Sequence, residues 1–155
     1  MENKKIKVYI VDIEENTIDR LEELFYNNTQ LGVKIIGYAY NYNTCINDFA
    51  RARDADVFLV SAYLPDTMGT ELISQIKKVN PKTKVIVMLQ KNTRNLAEIS
   101  KEKGADDFIQ KPFRARQLIE KIHEVTNYEM QEGLFDEGEN KQESTQDEAE
   151  PFYPE

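Results

Sequence analysis

A serine stands where a buried strand of this sequence is predicted to end. Residues Val57 to Val60 are all apolar, as in a strand buried on both faces of a parallel sheet, and Ser61 follows them. In an open sheet of this kind, ligands bind at the carboxyl ends of the strands. A serine hydroxyl is un-ionised at pH 7 and needs a neighbouring base to act as a nucleophile. The only histidine, His123, belongs to the last predicted helix and is not placed to serve.

The hydrophobic pattern divides the chain into five strands that alternate with five helices. The predicted strands are 5–11, 33–38, 56–60, 84–89 and 105–109. The predicted helices are one with Ile18, Leu21, Leu24 and Phe25 on its apolar face, then 44–53, 70–79 and 95–103, and a last one with Leu118, Ile119, Ile122 and Val125 facing inward. Helix 44–53 is expected to bury Cys45 or Ile46 together with Phe49 and Ala50. We therefore expect an α/β fold, a five-stranded parallel sheet doubly wound by five helices.

Charge separates the chain into two regions. Residues 128–155 hold ten acidic residues against one lysine, a net charge of −9, whereas residues 1–127 hold 18 acidic against 19 basic residues, a net charge of +1. The acidic region is rich in Glu, Gln, Ser, Gly and Asn, which is typical of disorder. Its end, 150–155, reads Glu-Pro-Phe-Tyr-Pro-Glu and is either a short docking motif or part of a solubilising tail or linker. We expect a domain over 1–127 and a disordered acidic tail or linker over 128–155.

Composition also excludes several classes of function. The single cysteine, Cys45, excludes an internal disulfide and a multi-cysteine metal cluster, and is expected to be a small half-buried apolar residue. The nearly neutral body and acidic tail lack the basic surface that nucleic-acid binding requires. No run approaches the length of about 18 apolar residues that indicates a membrane span, and the start of the chain has no apolar signal region. We expect a cytoplasmic protein with no nucleic-acid partner and no membrane insertion.

Three sets of short motifs occur in a characteristic order. Val11-Asp12 closes the first strand, Leu64-Pro65 and Gly69-Thr70-Glu71-Leu72 follow the third, and Gly104-Ala105-Asp106-Asp107-Phe108 and Lys111-Pro112-Phe113 surround the fifth. Over residues 5–126 this pattern resembles the receiver domain of two-component response regulators, the CheY-like fold. The resemblance implies a site at which a histidine kinase phosphorylates an aspartate that ends strand three. It further implies acidic residues that hold magnesium after strand one, a Thr or Ser that ends strand four, and a lysine after strand five.

Carried over to this sequence, the resemblance implies that most of this site is degenerate. Its positions are Asp12, Ile13, Ser61, Gln90 and Lys111, with Phe108 at the aromatic switch position. Ser61 replaces the phosphoacceptor aspartate, Ile13 the second acidic metal ligand, and Gln90 the switch Thr or Ser. The chain thus resembles an aspartate-less pseudo-receiver, for which we expect no enzymatic activity, no cofactor and no metal. Asp12 and Lys111 are interpreted either as a vestigial phosphate pocket or as a structural ion pair.

The neighbouring carboxylates have simpler interpretations. Asp66 is expected to be a solvated turn residue in the loop that follows Pro65. Glu14 and Glu15 are expected to favour the start of the first helix through its dipole. An alternative keeps a phosphorelay function, in which Asp12 and Glu14 hold magnesium and phosphate is accepted by a non-standard route.

The function implied by the resemblance is a phosphorylation-independent protein-interaction or dimerisation module in bacterial signal transduction. A protein partner or a second copy is expected on the face formed by helix 95–103, strand 105–109 and the last helix. The candidate residues on that face are Lys101, Lys103, Asp106, Arg114, Arg116 and Lys121. Such modules also resemble the N-terminal localisation domains of larger ATPases of the MinD type. A weaker alternative is a small-molecule sensor whose pocket is lined by Tyr63 and Gln90.

Overall fold

The computed structural model of the protein describes residues 5–67, 69–93 and 95–127. The strands are β1 (Ile6–Val11), β2 (Val33–Ala39), β3 (Val57–Ser61), β4 (Lys84–Leu89) and β5 (Asp107–Gln110). The helices are α1 (Glu15–Asn27), α2 (Tyr42–Asn47), α3 (Phe49–Ala52), α4 (Gly69–Val79), α5 (Leu96–Lys103) and α6 (Ala115–Thr126), with 3-10 turns at Thr29–Leu31 and Lys91–Thr93. The predicted acidic tail, 128–155, lies outside the described residues.

The five strands form one parallel sheet in the order β2-β1-β3-β4-β5, which confirms the predicted fold class. The apolar faces of α1 and α6 cover one side of the sheet, and α2 to α5 cover the other. Successive residues of the central strands therefore enter different cores: Ile10 packs with α1 and α6, and Val11 packs with the opposite helices. This two-sided burial explains why the central strands are continuous apolar runs. None of the helices within the described residues is long and apolar enough to cross a membrane.

The prediction of a single helix over 44–53 was wrong, because the chain forms α2 and α3 with Asp48 between them. The Asp48 carboxylate accepts a hydrogen bond of 2.8 Å from the hydroxyl of Tyr9, a buried residue of β1. Cys45 is the buried residue of α2 and is fully rather than half buried, whereas Ala50 is exposed, against expectation. Burial, and then the charge of Asp48, raise the pKa of the Cys45 thiol to about 12, so that this thiol is un-ionised and unreactive at neutral pH.

Strand β5 begins at Asp107, two residues later than predicted. The reason lies in Asp106, which precedes the strand. Its carboxylate accepts hydrogen bonds of 2.8 Å from the backbone N–H of Val85 and from the ammonium of Lys77. The backbone N–H of Asp106 still donates to the carbonyl oxygen of Val85 at 2.8 Å, but the N–H of Val85 goes to the Asp106 side chain, and paired residues of the two strands begin at Asp107.

The strand connections run in opposite directions at the boundary between β1 and β3. The chain leaves β1 toward β2 on one side and leaves β3 toward β4 on the other, so a crevice forms beyond the carboxyl ends of these two strands. Val11 pairs with Val60 in the parallel register. The residues that follow them, Asp12 and Ser61, therefore leave neighbouring strands at the same level and define the candidate site.

Candidate functional site

Ser61 is the last residue of β3 and is 3% exposed. Its hydroxyl donates a hydrogen bond of 3.0 Å to the carbonyl oxygen of Tyr63 and accepts one of 3.4 Å from the N–H of the same residue. Gly69 allows α4 to begin close behind this strand end, because a Cβ at that position would overlap the carbonyl oxygen of Ser61. The serine hydroxyl therefore stabilises the loop that follows the strand.

Lys111 connects two segments of the domain that are far apart in sequence. Its ammonium lies 2.7 Å from Oδ2 of Asp12 and 2.5 Å from Oε1 of Glu14. The side chains of Lys111 and Asp12 are each 1% exposed, and that of Glu14 is 28% exposed. The other oxygen of Asp12, Oδ1, accepts the backbone N–H of Glu14 at 3.0 Å. These three residues, named here the ion triad, join the β1–α1 turn to the residue that follows β5.

Burial affects the ionisation of Asp12. Desolvation raises the pKa of Asp12 above its ordinary value, even though the charge and hydrogen bond of Lys111 oppose that shift. Lys111 is therefore the main group that favours the charged form of Asp12. Glu14 has a different role from the one expected from the sequence, because its side chain binds Lys111 in addition to standing before the first turn of α1.

The remaining predicted positions contribute no ionisable group to the crevice. Ile13 is 49% exposed and has no polar side-chain atom. Strand β4 ends at Leu89, so that Gln90 follows the strand instead of ending it, and the backbone N–H of Gln90 donates to Oγ1 of Thr93 at 2.7 Å. Phe108 lies within β5, half-buried against the core on the α4 side of the sheet.

The oxygen donors of the crevice are already engaged in contacts within the domain. Magnesium requires a nearly octahedral shell of oxygen ligands. Both carboxylate oxygens of Asp12 already have partners, Glu14 is bound to Lys111, and the hydroxyl of Ser61 is bound to the backbone of the next loop. Across residues 5–67, 69–93 and 95–127, no group of three or more His, Cys, Asp or Glu side chains is arranged to hold a metal ion.

Asp66 has a structural role that sequence reasoning missed. It is exposed, as expected of a solvated turn residue, but its two carboxylate oxygens accept the N–H groups of Tyr42 and Asn43, each at 2.9 Å. Desolvation acts to raise the pKa of Asp66, but these backbone hydrogen bonds outweigh it and the pKa lies below its ordinary value. Asp66 thereby attaches the β3–α4 loop to the start of α2. This contact was not predicted because Asp66 and its partners are far apart in the sequence.

The predicted interaction face, now formed by α5, β5 and α6, has mixed charge. Most of its charges pair within the domain: Lys103 with Glu71 at 3.4 Å, Asp106 with Lys77 at 2.8 Å, Arg116 with Glu120 at 3.3 Å and Lys121 with Asp107 at 3.2 Å. Lys101 is exposed and Arg114 is half-buried. These pairs orient the side chains of the face and leave it close to electrically balanced.

Comparison with known proteins identifies the family. A model of the family described as response regulator receiver domain matches residues 8–123. The chain belongs to this family. It is a receiver domain of two-component signalling, which confirms the coarser part of the resemblance seen in the sequence.

Individual relatives agree with this assignment. The receiver domain is 33% identical over 72 residues to the DNA-binding transcriptional regulator NtrC of Azospirillum brasilense, a match to 46% of this chain and only 15% of that protein. It is 26% identical over 98 residues to the chemotaxis protein CheY of Thermotoga maritima, which covers 63% of this chain and 81% of that protein. A CheY-like receiver structure from Methanospirillum hungatei JF-1 superposes with a TM-score of 0.68 at 26% identity, over 81% of this chain and 95% of that one.

Proposed function

We propose that this receiver domain is an aspartate-less pseudo-receiver that acts without phosphorylation, as a constitutive protein-interaction or dimerisation module. The observation that carries the proposal is the state of the crevice. Its lysine is paired with two carboxylates, and the residue at the acceptor position is a serine whose hydroxyl bonds the next loop. A phosphoryl group would therefore find no carboxylate at the acceptor position, and the lysine of the site would already be paired.

The chemistry of Ser61 supports the same proposal. A hydroxyl becomes a nucleophile only when a base accepts its proton. The one histidine, His123, lies on α6 and donates from Nε2 to the carbonyl oxygen of Leu31 at 2.9 Å, so it serves the core on the α1 side. Asp12 is the buried carboxylate of the crevice, and its two oxygens are held by Lys111 and by a backbone N–H.

A receiver without an acceptor has no phosphorylation-dependent change with which to select its partner. Its binding surface is then present in every molecule, and other factors such as concentration or a further domain set the occupancy. The face of α5, β5 and α6 is our proposed surface, with Lys101, Lys103, Asp106, Arg114, Arg116 and Lys121 as its candidate residues. A role as the N-terminal localisation module of a larger protein is compatible with this surface.

The first experiment is a titration with magnesium and beryllofluoride, followed by amide NMR, together with intact mass after exposure to a small phosphodonor. We expect no saturable shift at Asp12, Ser61 or Lys111 and no added phosphoryl group. A receiver with a complete site, treated in parallel, shows that the reagents are active. The variant Ile13→Asp/Ser61→Asp restores the two acidic positions and should respond more strongly than the natural sequence. Saturable shifts or a phosphoryl adduct on the natural sequence would refute the proposal.

The interaction surface needs a separate test. Sedimentation velocity over a range of concentrations measures self-association of the full chain, and the variant Lys101→Glu reverses the charge of an exposed residue of α5. Lys82→Glu is the matched control, because Lys82 is also exposed but lies in the turn before β4. A self-association weakened by the first variant alone would support the face, whereas equal effects of both variants would argue against it.

A further inference from the structure

An apolar groove of about 510 Å³ lies beside α1 and β2. Phe25, Val33 and Ile35 contribute its apolar lining, and Tyr26, which is 83% exposed, also lines it. Strand β2 is an edge strand, so within the described residues no further strand covers its outer side. Phe25 and Val33 are only 3% and 2% exposed, so the accessible apolar surface of the groove comes mainly from Tyr26 and the half-buried Ile35. A concavity of this size is common at binding sites. Neither Tyr63 nor Gln90 lines this groove, so it is separate from the crevice.

The polar lining of the groove restricts what can bind there. Lys5 and Lys34 contribute two ammonium groups, and Glu22 and Glu23 of α1 contribute two carboxylates. The two signs balance, so the charges of the lining do not by themselves select an acidic or a basic ligand. An apolar segment with acidic residues at its ends suits the groove only if those acids lie against the lysines and away from Glu22 and Glu23.

We propose that this groove binds the end of the chain's own acidic tail, with Phe152 and Tyr153 inserted among the apolar residues. These two residues are the adjacent aromatic pair of the tail, and Glu150 and Glu155 flank them at a distance of two residues on either side. Aromatic side chains bury a large apolar area at a small cost in conformational entropy. The flanking carboxylates can then approach the lysines of the groove.

Two prolines prepare this segment for binding. Pro151 precedes the aromatic pair and Pro154 follows it. Proline fixes its own φ and disfavours helical geometry in the residue before it, here Glu150 and Tyr153. Less entropy is lost when such a segment becomes ordered. Since proline has no N–H, we expect the side chains, rather than an added strand on β2, to provide the contact.

The tail begins close enough to reach the groove. Helix α6 ends at Thr126, and in its last turns Nε2 of His123 donates to the carbonyl oxygen of Leu31 at 2.9 Å. Leu31 belongs to the same 3-10 turn as Thr29, which lines the groove. The 24 residues 128–151 separate α6 and its cap from Phe152. A flexible chain of that length has a root-mean-square span of about 27 Å, which is comparable with the diameter of a domain of this size.

This reach favours the tail of the same molecule over that of a second copy. A tether that matches the distance between its sites gives an effective concentration in the millimolar range. A second copy at micromolar concentration competes poorly with such a tether. The inference goes beyond the proposed function and does not depend on it, because the groove and the crevice lie on different parts of the domain.

The test uses the full chain and amide NMR. We expect Phe152→Ala/Tyr153→Ala to change the amide chemical shifts of Val33, Lys34 and Ile35, because the groove then loses its occupant. Leu134→Ala/Phe135→Ala is the matched control, since it removes the other adjacent apolar pair of the tail. This control should leave the groove signals unchanged, and dilution of the natural sequence should not move them.

Three results would overturn the inference. Groove signals that are unaffected by Phe152→Ala/Tyr153→Ala would show that the aromatic pair is not bound there. Equal shifts from the Leu134→Ala/Phe135→Ala control would assign the contact to another part of the tail. Shifts that appear only as the concentration rises would assign it to a second copy. As a reciprocal measurement, Tyr26→Ala alters a highly exposed side chain of the groove and should change the signals of Phe152 and Tyr153.

Discussion

Replacing Lys111 by methionine is expected to destabilise the domain by about 3 kcal/mol at pH 7. Methionine is unbranched and apolar like the stem of lysine, but it lacks the ammonium that lies 2.7 Å from Asp12. Asp12 is then a buried carboxylate with one backbone donor, the N–H of Glu14. Breaking a buried ion pair by removing one partner costs about 3–5 kcal/mol. We expect the lower end, because the raised pKa of Asp12 allows the carboxyl group to take up a proton.

Urea unfolding at pH 7 measures this loss. With a slope of about 2 kcal/mol per molar urea for a domain of this size, the midpoint should fall by about 1.5 M. The loss should become smaller at lower pH. Burial raises the folded-state pKa of Asp12, so the folded protein takes up the proton first as the pH falls through that pKa. In the Lys111→Met variant this protonation also removes the buried unpaired charge.

The double variant Asp12→Asn/Lys111→Met provides the control. It removes both charges, so its loss should be smaller than the sum of the two single losses. Glu14→Gln changes the half-buried member of the triad and should cost about 1 kcal/mol or less. A loss below about 1 kcal/mol for Lys111→Met at an unchanged slope would refute the reasoning, and so would additive single losses.

Three further predictions concern other parts of the domain. Burial lowers the pKa of His123 although the bond to Leu31 opposes this, so stability should decline as the pH falls below about 6.5. Urea midpoints should show a weaker decline in His123→Gln. Gly69→Ala should lower stability by about 1–3 kcal/mol or more, measured by thermal unfolding, because its Cβ would overlap the carbonyl oxygen of Ser61. Asp66→Ala should accelerate amide hydrogen exchange in the first turn of α2 while leaving exchange in β3 unchanged.

The elements that the sequence predicted well are those whose pattern is local. The central strands are apolar because both of their faces are buried, so their bounds could be read to within a residue. The end of α5 was equally clear, since Gly104 adopts a left-handed conformation with φ of 116° that favours glycine. The division of helix 44–53 could not be read, because Asp48 interacts with Tyr9 of a distant strand.

The candidate site could likewise be predicted only in part. The resemblance to receiver domains assigned Asp12, Ser61 and Lys111 to one site, and a structural ion pair was one of the two interpretations of Asp12 with Lys111. The structure contains that ion pair, whereas the hydroxyl of Ser61 bonds to Tyr63. The role of Glu14 was not predicted, because its partner Lys111 is 97 residues away. Asp66 was missed for the same reason, as its partners belong to α2. Long-range polar contacts leave no periodic pattern in a sequence.

The ion triad also bears on whether the crevice can act as a switch. A switch needs two arrangements that differ by a few kcal/mol, and a ligand that distinguishes between them. If separating Lys111 from Asp12 costs about 3 kcal/mol, the arrangement in which these two side chains are apart is present in roughly one molecule in 150. A ligand of the crevice would have to supply that free energy through its own binding. In our proposal Ser61 offers it no ionised acceptor group. We therefore expect regulation of this domain to act outside the crevice, and we propose the groove of α1 and β2 as the surface at which it acts.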